Sequence, residues 1–121
     1  MKHRHSGRVL SRVRNQRNAL IKTLLGSLVM YEHITTTEAK AKEVKNFIDQ
    51  VINKSKVARA DTKRRVAMIR HLQRQIPAMA TKKLLSDFGA RFESRTCGYV
   101  RVIKLEPRKS DGAHMAIIEF V

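Results

Sequence analysis

The sequence is short of the residues on which most catalytic, redox and membrane-spanning chains depend. Cysteine occurs once, at Cys97, so no intramolecular disulfide can form and no paired-cysteine metal site can be assembled. A reducing cytoplasm suits such a chain. It has no run of about eighteen apolar residues for a membrane span. Its start, Met1-Lys2-His3-Arg4-His5, lacks the apolar stretch of a secretory signal, so the chain is expected to stay where it is made. Aromatic residues make up only 5% of it, with no paired aromatic motif of a base-stacking sheet, which favours recognition of shape and backbone over sequence reading of single strands. Carboxylates are scarce too, at 10 Asp and Glu in 121 residues. A nuclease needs acids converging on a metal, or a histidine oriented by an acid, and Asp87, Glu93, Asp111 and Glu119 could meet only by accident of folding. No catalytic residue, metal site, cofactor or small-molecule substrate is assigned.

Against those few acids stand 26 Lys and Arg, for a formal net charge of +16. Such an excess repels itself in a compact chain without counterions. It points to a polyanionic partner whose phosphates the cations would neutralise, with release of counterions and strong salt dependence. Hydrophobic residues still form 42% of the chain, too many for a disordered polycation. The length fits one domain.

The first acid is Glu32, and Lys2, Arg4, Arg8, Arg12, Arg14, Arg17 and Lys22 precede it without opposing charge. Residues 1–10 offer little apolar surface beyond Val9 and Leu10, so they read as an extended basic arm that orders on binding. From about Ser11 the pattern becomes helical, with Leu20, Ile21, Leu24, Leu25, Leu28 and Val29 on one stripe that ends near Tyr31. Ile34-Thr35-Thr36 is β-branched and extended. Thr37 is placed to cap a second helix that buries Ala41, Val44, Ile48, Val51 and Ile52. Asp61 is expected to cap a third, with Val66, Ile69 and Leu72 inward. Pro77 opens a fourth, which runs through Ala80, Leu84 and Phe88 and stops at Gly89. A basic loop, 91–98, leads to two strands, 99–105 and 114–121, joined by a turn rich in Pro, Asp and Gly as an antiparallel hairpin. The expected architecture is α+β: about four helices on a small mixed sheet of about three strands, with the arm at 1–10 and one globular domain at 11–121. Phe47, Phe88, Tyr99 and Phe120 are expected to fill the core, and Cys97 to fill a small space.

The residues singled out for RNA contact are Lys2, His3, Arg4, His5, Arg8, Arg12, Arg14 and Arg17 on the arm and first helix, Lys40 and Lys42 on the second, and Arg64 and Arg65 on the third. Arg91, Arg95, Arg101, Arg108 and Lys109 complete the set. Met1-Lys2-His3 also offers the nitrogen donors that square-planar copper or nickel favours; His3 and His5 are read instead as hydrogen-bonding phosphate or sugar.

Five segments, in order, carry a resemblance. Met1-Lys2-His3-Arg4 with Gly7-Arg8 and Arg12, Gly26-Ser27-Leu28-Val29, Ile34 to Glu43 followed by Asp49-Gln50-Val51-Ile52, Arg91-Phe92 with Arg95, Gly98-Tyr99 and Arg101, and Pro107-Arg108 with Met115 to Val121 resemble the bacterial large-subunit ribosomal protein family numbered seventeen. The chain departs from that pattern at Gln16, at Cys97 and through 58–80. The resemblance implies an α+β domain in the large ribosomal subunit of a bacterial-type ribosome, near the solvent side of the exit-tunnel region, in the cytoplasm or in an organelle. It also implies ribosomal RNA and neighbouring large-subunit ribosomal proteins as partners, without membrane attachment. A free-standing nucleic-acid architectural protein is the competing reading, because it would share the charge excess.

Overall fold

The computed structural model describes His3 and residues 6–121. The chain runs α1 (Arg14–Tyr31), β1 (His33–Thr37), α2 (Glu38–Ala60), α3 (Arg65–Gln75), α4 (Ala78–Leu85), α5 (Asp87–Ala90), β2 (Val100–Lys104) and β3 (Met115–Phe120). The α+β architecture is as the sequence led us to expect, with a short fifth helix in addition.

The sheet differs from the expected mixed one. Its order is β1-β3-β2 and both pairings are antiparallel. The hairpin turn sends β3 back against β2, and β3 then takes the central place, where Ile118 lies opposite both Ile34 and Val102. The parallel relation that a mixed sheet needs exists only between the two edge strands, which do not pair. Side chains alternate along β3, so Ala116, Ile118 and Phe120 face the core.

Helix α2 is the spine of the domain. Ala41, Val44, Ile48, Val51 and Ile52 are all fully buried, the one-sided pattern that a period of 3.6 residues demands, and Ser55 satisfies its buried hydroxyl on the Ile52 carbonyl at 2.7 Å. Four rings close the far end of the core. Phe88 meets Phe92 and Phe120 edge-on with centroids 5.3 Å apart, and Phe92 meets Tyr99 at 5.6 Å, an arrangement that brings the positive ring edges to negative faces.

Several local expectations need correction. Gly89 does not end α4. That helix stops at Leu85, and Gly89 lies inside α5 with its backbone so close to the Leu84 carbonyl that an added Cβ would sit 1.9 Å from that oxygen. The glycine answers a close approach of two turns, not a left-handed cap. Thr37 stands at the N-cap of α2 but its side chain makes no capping bond. Asp61 ends α2 and accepts the Lys63 amide at 2.9 Å, so it organises the turn ahead of α3. Val66 is exposed, leaving Leu72 as the buried residue of α3. Cys97 is exposed rather than space-filling, and Phe47 is exposed rather than core.

Helix α1 ends on Glu32, which adopts a left-handed conformation with φ 67° and donates its amide to the Leu28 carbonyl at 2.8 Å. A side chain rarely takes this conformation. Here three contacts hold it: the Glu32 carbonyl accepts the Phe120 amide at 3.2 Å, and its carboxylate takes Lys83 at 3.2 Å and Arg91 at 3.0 Å.

Candidate nucleic-acid interface

The fold sorts the cations into two groups. One group is matched by carboxylates of the same chain. Arg91 pairs with Glu32 and lies over the Phe88 ring, 5.2 Å from its centroid. Arg101 Nε donates to Glu119 at 2.6 Å across the β2–β3 ladder. Arg108 forms a two-pronged bond to Asp111, with both contacts at 2.9 Å. Lys42 meets Glu38 at 2.6 Å one helical turn away, Lys104 approaches the same carboxylate at 3.4 Å, and Arg64 reaches Asp61 at 3.7 Å. These pairs hold Glu32 below the usual carboxylate range, chiefly through its bond from Lys83 and then Arg91. Glu38 is lowered mainly by Lys42, and Asp111 mainly by Arg108, whose own pKa is raised in return.

The second group has no carboxylate partner among the described residues: Arg12, Arg14, Arg17, Lys22, Lys40, Arg65, Arg70, Arg74, Arg95 and Lys109 are absent from every ion pair. The reason is visible in the chain. No acid lies before Glu32 or between Asp61 and Asp87, so α1, α3 and α4 contain none. Neither α1 nor α3 has an acid in its first turn or a side-chain cap. Arg14 and Arg65 instead open them, placing cations beside the positive ends of two helix dipoles. That placement is unfavourable within the chain and becomes favourable when an anion sits there.

Lys22 Nζ reaches the Gln73 carbonyl at 3.1 Å and ties the middle of α1 to the end of α3. Together with the 6–9 segment and α2 they enclose a groove of about 400 Å³ lined by Arg8, Arg17, Lys22 and Arg74. Arg8 spans it to Glu43, 2.9 Å away, a carboxylate whose side chain is only 7% exposed. Arg12 Nη1 donates to the Leu10 carbonyl at 2.7 Å, and Arg17 Nη1 to the Arg12 carbonyl at 3.3 Å, which folds the start of α1 into a dense basic edge.

The 91–98 loop is held from beneath by α2. Tyr99 donates its hydroxyl to Asn53 at 2.6 Å, Asp49 accepts the Gly98 and Tyr99 amides at 3.4 Å, and Lys56 donates to the Arg95 carbonyl. Arg95 itself donates to the Gly98 carbonyl at 3.1 Å.

Of the residues singled out from sequence, the structure brings Arg8, Arg12 and Arg17 together, and leaves Lys40 and Lys42 on the first turns of α2. Arg101, Arg108 and Lys109 lie apart on the hairpin. His3 lies in an exposed turn, while Lys2, Arg4 and His5 lie outside the described residues. Lys22 and Arg74, at the groove, were not among the residues singled out for RNA contact, although Lys22 belongs to the acid-free run before Glu32 and Arg74 to the acid-free stretch from Thr62 to Ser86. Among the described residues no group of three or more His, Cys, Asp and Glu is placed to hold a metal ion, and no helix is long and apolar enough to cross a membrane.

Comparison with known proteins places the chain in a family. The family described as ribosomal protein L17 matches residues 20–121. The protein named large ribosomal subunit protein bL17 of Thermodesulfovibrio yellowstonii is 45% identical over 121 residues, covering 100% of this chain and 87% of that one. Its namesake in Nautilia profundicola is 40% identical, covering 100% and 98%, and that of Caldanaerobacter subterraneus is 39% identical, covering 96% and 99%. The chain therefore belongs to the ribosomal protein L17 family.

Proposed function

We propose that the protein is a structural constituent of the large ribosomal subunit in bacterial cytoplasm, without catalytic activity, which binds ribosomal RNA and supports subunit assembly and architecture. Its partners are that RNA and the ribosomal proteins beside it. The observation that carries this reading is the basic edge of α1 and α3: two helices without a single acid, each opening on an arginine, with cations that meet no carboxylate among the described residues. Phosphates would satisfy the orphan amides of the helix ends and the arginines at once, releasing counterions as they do so.

The basic arm of residues 1–10 adds Lys2, His3, Arg4, His5 and Arg8 to the groups that would meet RNA. Arg12, Arg14, Arg17, Lys40, Arg65, Arg95 and Lys109 are free to contact phosphate directly. Arg64, Arg91, Arg101, Arg108 and Lys42 contact it as members of ion pairs, and so contribute less net charge. Co-sedimentation tests the assignment. The protein should remain with large subunits through a stringent salt wash, whereas a free architectural protein would leave ribosomes at moderate salt and appear on DNA. Release at moderate salt would overturn the reading.

A further inference from the structure

The groove between the 6–9 segment, α1, α2 and the end of α3 has an apolar side that charge alone does not require. Ile21, Leu25 and Phe47 line it, and Arg17, Lys22 and Arg74 stand with them. The core rings, Phe88, Phe92, Tyr99 and Phe120, interlock with one another. Phe47 is 36% exposed and, among the described residues, pairs with no ring. Helix periodicity on α2 gives the core to Val44, Ile48 and Val51 and turns Phe47 toward the groove. The one carboxylate on the groove wall, Glu43, is already matched by Arg8 at 2.9 Å, so the cavity remains cationic.

We propose that this groove holds one unpaired nucleotide of ribosomal RNA, its base against the Phe47 ring and its phosphates on Arg17, Lys22 and Arg74. The proposal rests on the RNA-binding reading above and adds a subsite to it. Any base has a face that can stack on an aromatic ring, and cations alongside hold the backbone without reading sequence. The volume of about 400 Å³ falls in the range of cavities that enclose a small ligand group. A regular duplex offers phosphates but no free base, so it would leave the apolar wall unused. A peptide segment from a neighbouring protein would cover the wall and leave three unmatched cations; charge complementarity selects the nucleotide.

The test compares two RNA duplexes that differ by a single bulged 2-aminopurine nucleotide. The full-length protein should bind the bulged duplex about tenfold more tightly, the size of one base-stacking contribution, and should quench the fluorescence of the probe. Phe47→Leu keeps an apolar side chain and should lose both the preference and the quenching, with plain-duplex affinity and thermal melting unchanged. Phe47→Trp, with a larger ring face, should keep both, and guards against a leucine variant that folds poorly. Equal affinity for the two duplexes, or a preference that survives in Phe47→Leu, overturns the nucleotide subsite while leaving general RNA binding intact. Failure to bind either duplex, or large-subunit RNA, overturns the RNA-binding reading itself.

Discussion

The α1–α3 edge and the C-terminal hairpin are both rich in arginine and lysine, but they use them in opposite ways. On the hairpin, Arg101, Lys104 and Arg108 each meet a carboxylate, respectively Glu119, Glu38 and Asp111, and Lys109 in the turn is the exception. On the helical edge, Arg14, Arg17, Lys22 and Arg74 meet none among the described residues. Net charge therefore says how strongly the chain attracts a polyanion, while pairing says which face does the attracting. An ion pair seen from a phosphate is close to neutral, and its cation must exchange partners before it contributes.

The largest expected effect is on assembly. Removing residues 1–5 takes away Lys2, His3, Arg4 and His5 and little apolar surface, so incorporation into large subunits should fall in competition with the full-length protein while melting stays unchanged. Unimpaired incorporation would show that the helical edge suffices. Next comes the double substitution Arg91→Gln with Arg95→Gln. Arg91 is coupled to Glu32 and to the Phe88 ring, so we expect a small loss of stability together with a several-fold weaker affinity for large-subunit RNA. A change confined to melting would remove both residues from the interface.

Arg8 is the exception to the comparison, a cation of the basic edge that is paired. Arg8→Ala leaves the buried Glu43 carboxylate without its cation. The cost should be about 1–2 kcal/mol, discounted because Arg8 is itself half exposed. Adding Glu43→Gln should recover part of it in denaturant titrations. Removal of residues 1–10 should carry the same penalty, unlike removal of 1–5. Identical unfolding curves for all these chains would mean that the 6–10 segment does not dock on α2.

The smallest effect concerns pH. The pKa of Glu32 is lowered in the folded state by Lys83 and Arg91. Its pairs therefore stabilise the fold fully above the unfolded glutamate value of about 4.3, and that contribution is lost as pH falls through the lower folded value. Glu32→Gln should flatten the acid side of a melting-versus-pH profile. An unchanged profile would leave the end of α1 to backbone bonds alone.

Much of this was legible in the sequence. The inward stripe of α2, the hairpin and the α+β class follow from periodicity and turn chemistry, because those signals are local. Glu32 was not legible: nothing near it announces a left-handed glutamate held by Lys83, Arg91 and the Phe120 amide from distant parts of the chain. Gly89 was misread because its reason is a close backbone approach, which composition does not reveal. Phe47 was misread because the bulk of a ring says nothing about the side of the helix on which the groove opens. In the candidate interface, the arginines of the arm and α1 stood out as an acid-free run, but ion pairing on the hairpin depends on strand register and could not be read from charge alone.

The division between free and paired cations is tested most directly by two matched triple variants, Arg17→Gln/Lys22→Gln/Arg74→Gln and Arg101→Gln/Lys104→Gln/Arg108→Gln, each titrated onto large-subunit RNA across a range of salt. Both remove three positive charges. The edge variant should lose roughly 2–3 from the magnitude of the slope of log affinity against log salt, at about 0.7–0.9 per phosphate contact, while the hairpin variant should lose less than about 1. Equal losses in the two variants, or a larger loss from the hairpin, would contradict the account.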